Sequence, residues 1–361
     1  MRFLVPRGFF VPVTPGTRQV TLGGAIAADI HGKNHHIEGS LGNHVVSVRL
    51  LMADGSVTDL SPEAQPAVFW ATVGGMGLTG VILEATLRVL PVETSRMVVD
   101  TERTTDLDDV CARMTEGDHR YRYSVAWVDL SATGRKLGRS VLTSGDHAPL
   151  SALGRAAGAP LQFDPHTRLV APPLVPDGLL NRLTIRAFNE FWYHKAPRRR
   201  VGQICSLGAF FHPLDGVRSW NRLYGHQGFV QYQVVIPFGE ERTLRTVVER
   251  MANSGDSSFL VVLKRFGQGN PGPLSFPMPG WTITIDIAAG RRGLGEMLTA
   301  LDRMVLDAGG RHYLAKDAHM TPAALRQGYP RFEEWKAVRD KVDPTGVWAS
   351  DLARRLEMVG G

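Results

Sequence analysis

The sequence predicts an α+β protein, on three observations. Segments rich in β-branched and aromatic residues, the signature of strands, stand at 229–236 (FVQYQVVI), 258–264 (SFLVVLK) and 281–287 (WTITIDI). Helical periodicity alternates with them. In 240–252, Leu244, Val247, Val248 and Met251 follow the i, i+3, i+4, i+7 pattern; in 294–308, Leu294, Met297, Leu298, Leu301, Met304 and Val305 share one face. Third, residues 1 to about 94 are rich in glycine and short strand signals. The order strand, helix, strand, strand, helix implies antiparallel pairing with helices laid on the sheet.

Taken along the chain, the opening MRFLVPRGFFVPVTPGT is interrupted by Pro6, Pro12 and Pro15, so no signal-peptide core forms. Val45–Met52 and Ser56–Leu60 bracket Ala53-Asp54-Gly55, a hairpin signal. Phe69-Trp70-Ala71 leads into a glycine-rich turn at 74–80 and a strand at 81–87 (VILEATL). Residues 145–180 read as loop, with six prolines from Pro149 to Pro176. Gly309-Gly310 ends the helix at 294–308. Tyr313–Asp317 reads as a short strand ending in polar groups. Helices follow around 322–327 and 331–341, Asp343-Pro344 breaks the chain, and 347–357 closes it.

Composition narrows the function. A length of 361 residues suggests about two domains. The net charge of +6 is small for that length, and its one dense run is Lys195 with Arg198–Arg200: a solvated loop, or a contact for phosphate or anionic lipid. No nucleic-acid-binding module is present. Cys111 and Cys205 belong to no CxxC pair, and no apolar run reaches membrane-spanning length.

Residues 15–36 (PGTRQVTLGGAIAADIHGKNHH) carry the densest chemical signal. Gly16, Gly23, Gly24 and Gly32 let backbone approach a flat or phosphate-bearing ligand. His31, Lys33, His35 and His36 stand beside them. A tight glycine-rich turn with incidental histidines is an equal reading of the composition. HGKNHH lacks metal-ligand spacing, so no metal is expected. The segment is neither GxGxxG nor a Walker A loop, which disfavours Rossmann and P-loop folds.

This segment, with GSLGNH, FWATVGGMGLTG, FFHPLDG (210–216), GFVQYQVVIP (228–237), PLSFPMPGW (273–281), AKD (315–317) and DPTGVWASDLARRLE (343–357), closely resembles the decaprenylphosphoryl-ribose oxidase family. That family lies within the FAD-linked oxidases of the vanillyl-alcohol-oxidase type, and the resemblance covers essentially the whole chain. It implies a vanillyl-alcohol-oxidase-type (PCMH-type) FAD-binding domain, formed by 1–94 and a C-terminal return at 311–361. A substrate domain built on an antiparallel sheet would be inserted at 95–310. The reaction implied is FAD-dependent oxidation of the ribose 2-hydroxyl of decaprenylphosphoryl-β-D-ribose to a ketone. A separate NAD-dependent keto-reductase would complete epimerisation to the arabinose form used in cell-wall arabinan synthesis. The competing readings are a related alcohol or sugar-lactone oxidase, and a fragment unable to hold FAD.

The resemblance further implies FAD contacts from Gly16, Thr21, Leu22, Gly23, Gly24, Ala28, Asp29, Ile30, His31, Ile82 and Tyr313. Lys316 would be the active-site cation beside the reacting hydroxyl; His31 would pack against the flavin or relay a proton. Lys33, Gln231, Gln233, Lys264 and Tyr313 would line the substrate pocket. Gln231 and Gln233 share one strand face, and Lys264 would meet the lipid phosphate or else sit in a structural salt bridge. Two positions depart from the family: Thr282 replaces an asparagine, and Thr284 replaces the cysteine to which covalent inhibitors attach. Met1 aligns inside the FAD domain, so roughly a hundred residues of the family's N-terminal part, with its first pyrophosphate-gripping loop, are expected to be missing. The family is assigned to the periplasm. Any membrane contact of this chain would be peripheral, through 145–180 and Arg198–Arg200.

Overall fold

A computed structural model describes residues 1–165, 167, 169–173, 175, 178–254 and 258–360. Part of the expected loop at 145–180, Pro176 included, lies outside the described residues.

The opening segment carries two short helices, α1 (Leu22–Ala27) and α2 (His35–Glu38). A three-stranded antiparallel sheet follows, with β1 (Val45–Leu51) between β2 (Val57–Leu60) and β3 (Val81–Leu87). The expected hairpin is there: Val48 pairs with Leu60, and Gly55 takes the left-handed backbone (φ 82°) that its turn needs. Helix α3 (Pro66–Thr72) covers this sheet, burying Phe69 and Ala71.

The larger sheet has eight strands, all paired antiparallel: β4 (Arg96–Thr104), β5 (Tyr123–Val128), β6 (Ser140–His147), β7 (Arg199–Ser206), β8 (Phe229–Pro237), β9 (Val261–Phe266), β10 (Gly280–Ala288) and β11 (Arg311–His312). Their spatial order is β7-β4-β6-β5-β9-β10-β8-β11. The three strands read from the sequence are its central β8, β9 and β10. Helices α4 (Leu107–Gly117), α6 (Glu241–Asn253) and α7 (Leu294–Asp307) pack on one face; α5 (Arg182–Lys195) lies nearer the β7 edge. The expected stripe on α6 is fully buried at Leu244, Val247, Val248 and Met251, and Leu298, Leu301 and Val305 of α7 join the same core.

Side-chain alternation splits this sheet into two chemistries. Tyr232, Val234 and Ile236 of β8, Val261 and Leu263 of β9, and Ile283, Ile285 and Ile287 of β10 face the helices. The opposite face presents Gln231, Gln233, Lys264, Thr282, Thr284 and Asp286. Register places Gln231 across from Asp286, Gln233 from Thr284, and Lys264 from Thr282.

One expectation shifts. Tyr313–Asp317 is not a strand: pairing stops at His312, and Leu314–Lys316 winds into a 3-10 turn closed by Lys316 N–H to Tyr313 O (2.9 Å) and Asp317 N–H to Leu314 O (3.1 Å). The polar end of the segment is satisfied by local turn bonds in place of a ladder. Beyond it, α8 (Pro322–Gly328), α9 (Phe332–Val342) and α10 (Asp351–Arg355) return to the start of the chain. Trp335 of α9 is fully buried and donates its indole N–H to Ala71 O of α3 at 3.0 Å.

Candidate active site

The glycine-rich segment lies against the polar face of the large sheet. Thr21 caps α1 by accepting from Gly24 N–H (3.1 Å). At Gly23 an added Cβ would touch Ile82 of β3 at 3.8 Å, so two expected cofactor contacts are neighbours. Gly16 is open on all sides. It sits between anchors to the FFHPLDG turn: Thr14 to His212 (3.0 Å) on one side, Thr17 and the Arg18 N–H to Asp215 (each 2.8 Å) on the other. Val20 and Leu22 beside it are exposed.

Asp29 holds the next turn in place. It is fully buried in the left-handed region (φ 39°). Its carboxylate accepts from Ser40 Oγ (2.7 Å), Gly42 N–H (2.8 Å), Asn270 Nδ2 (2.7 Å) and Ser275 Oγ (2.5 Å). Burial raises its pKa, opposed by these donors. Tyr313 donates its hydroxyl to Ala28 O at 2.9 Å and stacks on Phe276.

His31 is buried between Phe266, Phe276 and Tyr313, with ring centroids 4.8, 5.5 and 5.1 Å away. Gln233 Nε2 lies 2.9 Å from His31 Nε2 and 3.1 Å from Thr282 Oγ1. An amide nitrogen is a donor, so His31 Nε2 accepts and its proton sits on Nδ1. Nδ1 is buried with no hydrogen-bond partner among the described residues. Burial, then the charge of Lys264, His35 and Lys316, drives the His31 pKa well below its ordinary value, so the ring is neutral.

Three lysines converge here. Lys316, in the turn after β11, donates to Gln231 Oε1, and Gln231 Nε2 donates to Asp286 Oδ1 at 2.8 Å. Lys33 donates to Phe210 O and lies 4.4 Å above the Phe210 ring. Lys264 has no hydrogen-bond or ion-pair partner among the described residues. Burial, then the charges of Lys33 and Lys316, lowers its pKa to about 7; burial lowers that of Lys33 to about 8. Burial lowers Lys316 as well, opposed by Asp286. Asp286 is the residue that sequence reading missed. It is 1% exposed, its Oδ2 has no hydrogen-bond partner among the described residues, and burial pushes its pKa up to about 7 against Gln231 and Lys316. Its signal was present: it continues the 282, 284, 286 face of a strand already assigned.

The residues fit a flavin nucleotide. The open glycine and exposed apolar residues around α1 suit a flat ring system and its phosphates, and the orphaned Nδ1–H of His31 is a buried donor with no protein acceptor. Matches to known proteins agree. The FAD binding domain family model matches residues 1–61, and the D-arabinono-1,4-lactone oxidase model matches residues 285–356. A decaprenylphosphoryl-beta-D-ribose oxidase of Mycolicibacterium smegmatis is 46% identical over 99% of this chain and 78% of its own length. An uncharacterized protein in the mprA 5′ region of Streptomyces coelicolor is 42% identical over 98% of this chain and 97% of its own. An L-gulono-1,4-lactone dehydrogenase of Mycobacterium tuberculosis is 37% identical over 16% of this chain and 13% of its own. Fold, site and matches define an FAD-dependent oxidoreductase that acts on a CH–OH group. Within that class, the chain belongs to the decaprenylphosphoryl-β-D-ribose oxidase family. No helix among the described residues is long and apolar enough to cross a membrane.

Proposed function

We propose that this protein oxidises the ribose 2-hydroxyl of a polyprenylphosphoryl-β-D-ribose, decaprenylphosphoryl ribose by the resemblance, to the 2-keto sugar. A separate NAD-dependent reductase would complete the epimerisation. The observation that carries this is the convergence of Lys33 with Lys264 and Lys316 at the polar sheet face, where Asp286 is the carboxylate facing them. A site with that surplus of positive charge calls for an anionic substrate, and Lys264 is the ammonium left free to meet a phosphate. The match to the lactone oxidase model favours a lactone, but a neutral lactone leaves the half-buried Lys264 without a partner.

Residues 1–94 and 311–361 would hold FAD, and the sheet of 95–310 would present the sugar. Bound FAD supplies the hydride acceptor. Gly16, Thr21–Gly24, Ala28, Ile30, Ile82 and Tyr313 would line it, with Asp29 fixing the turn between them. The Lys316 ammonium, held by Gln231, would orient the hydroxyl and stabilise negative charge developing on its oxygen. Gln233 already occupies His31 Nε2, so a proton relay through His31 requires that bond to open. Asp286, with a pKa near neutrality and an unfilled Oδ2, is better suited to take the proton. His31 would pack against the flavin, leaving its buried Nδ1–H free to meet it.

Anaerobic mixing with farnesyl- or decaprenyl-phosphoryl ribose tests the reading: the flavin band should bleach. Lys316→Ala should keep the band and slow bleaching by about 10²–10³-fold. Bleaching by gulono- or arabinono-lactone but not by the phosphoryl sugars would transfer the assignment to the lactone class.

A further inference from the structure

On the helix-covered side of the sheet, behind the active site, three ligand-type side chains meet. Asp302 comes from α7, His312 from β11, and His319 from the loop after the 3-10 turn. One atom from each lies within 4.8 Å of the others. His319 Nε2 is 2.9 Å from Asp302 Oδ2, and His312 Nδ1 is 4.0 Å from Asp302 Oδ1.

The hydrogen bonding of this cluster is incomplete. His312 is 5% exposed and Asp302 8%, and among the described residues neither ring nitrogen of His312 nor Asp302 Oδ1 has a hydrogen-bond partner. A neutral imidazole carries one N–H and one lone pair, and interiors seldom leave both unused. A cavity of about 10 Å³, room for one water-sized sphere, lies beside Asp302 and His312, walled by Val305, Leu306, Met320 and Ala324. The Tyr232 ring packs 5.0 Å from His312, its hydroxyl beside Asp302. The nearby Asp317 is already engaged by the His319 and Met320 N–H groups and Arg355, so it is not a ligand.

We propose that Asp302, His312 and His319 form a divalent-cation site, suited to Zn²⁺ with one water as fourth ligand, that staples the turn carrying Tyr313 and Lys316. Two imidazoles and one carboxylate are a recurrent zinc set, with ligand bonds of about 2.0–2.2 Å, which puts neighbouring ligand atoms roughly 3.3–3.5 Å apart. The 2.9 Å contact runs to Asp302 Oδ2 and the 4.0 Å one to Oδ1, and one ligand atom of each residue lies within 4.8 Å of the others, so the side chains must draw together to meet one ion. The two histidines flank the turn at its entry and exit, and Asp302 ties both to a long helix. The cation would thereby fix the backbone from which Lys316 reaches Gln231. The ligands are spaced 10 and 7 residues apart, with no motif to announce them.

The test uses tag-free full-length protein, stripped with chelator and titrated with Zn²⁺ and separately with Co²⁺. One equivalent of zinc should bind and raise the melting temperature, and cobalt should show the visible bands of a nitrogen- and oxygen-ligated site. Asp302→Asn and His319→Gln should each weaken zinc binding by about 100-fold or more and abolish the thermal shift, with circular dichroism unchanged. Zinc should also raise hydrogen-exchange protection across 312–319. Absence of stoichiometric zinc binding by the wild type, or equal binding by both variants, overturns the site. These readouts do not depend on which alcohol the enzyme oxidises.

Discussion

Gln233 Nε2 stands 2.9 Å from Nε2 of His31, joining the middle of β8 to the glycine-rich turn 202 residues earlier in the chain. One amide thereby fixes the tautomer of a buried histidine and, through its second N–H, engages Thr282. Gln233→Leu removes both bonds and leaves a buried imidazole nitrogen unmet. It should cost about 1–3 kcal/mol in denaturant unfolding. Gln233→Glu can only accept, so it should move the histidine proton to Nε2, seen as a changed ¹⁵N pattern of the His31 ring. An unaltered pattern in that variant would refute the tautomer assignment.

On the proposed mechanism, Asp286 should set the pH dependence of the reductive step. With a pKa near 7, the rate of flavin reduction should rise about tenfold per pH unit below 7 and level off above it. Asp286→Asn should be slower, by about 10²–10⁴-fold, and flat across the same range. The stability linkage runs the other way. The folded pKa lies above the unfolded value, so the stabilisation is present below the ordinary carboxylate range and is lost as pH rises through about 7. A wild-type profile retained in Asp286→Asn would move the base elsewhere.

Lys264 should serve binding more than chemistry. Lys264→Met keeps the length and removes the charge. It should raise KM for the phosphoryl sugar by about tenfold or more while leaving kcat nearly unchanged. Its folded pKa is depressed from 10.5 to about 7, so the stability it contributes is present above 10.5 and is lost as pH falls to about 7. Lys264→Met should therefore flatten the unfolding free energy between those pH values. A fall in kcat at constant KM would assign Lys264 to the chemical step.

Thr284 stands where the family carries its reactive cysteine. The remaining thiols are poor substitutes: burial pushes Cys111 up to about 12 and raises Cys205. Intact-mass spectrometry should detect no adduct with the family's thiol-directed inhibitors, and Thr284→Cys should restore one. An adduct on the wild type would contradict this.

The peripheral membrane contact expected through 145–180 and Arg198–Arg200 should extend onto α5. Leu183, Phe188, Phe191 and Trp192 are exposed along it, flanked by Arg182, Arg186, Lys195 and Arg198–Arg200. Apolar side chains among cations suit an anionic lipid surface, the source of a polyprenyl substrate. The protein should float with vesicles containing anionic lipid and not with neutral ones. Phe191→Ser combined with Trp192→Ser should abolish flotation without altering flavin content; unchanged flotation would exclude this face.

Much of this protein was legible in order of sequence. Helical periodicity located α6 and α7, because a half-buried helix repeats its apolar residues at its own period, and β-branched and aromatic content located β8, β9 and β10. The glycine-rich segment and the AKD turn were recognisable as motifs. The strands β4–β7 carried weaker patterns and were not assigned. The turn at Leu314–Lys316 read as a strand because its residue types suit either, and only the end of pairing at His312 decides between them.

What tertiary structure alone decided is which distant residues meet. Lys316 and Asp286 share Gln231; Asp29 gathers donors from 40–42 and 270–275; Asp302 faces two histidines across a helix–strand contact. Such pairings depend on strand register and on the return of the chain's end to its start. A one-residue slip in β10 would send Asp286 into the apolar core. The sequence by itself determined the class of chemistry, through residue types that suit a flavin and an anion. The pKa of each group was set by burial and by neighbours that no spacing in the chain encodes.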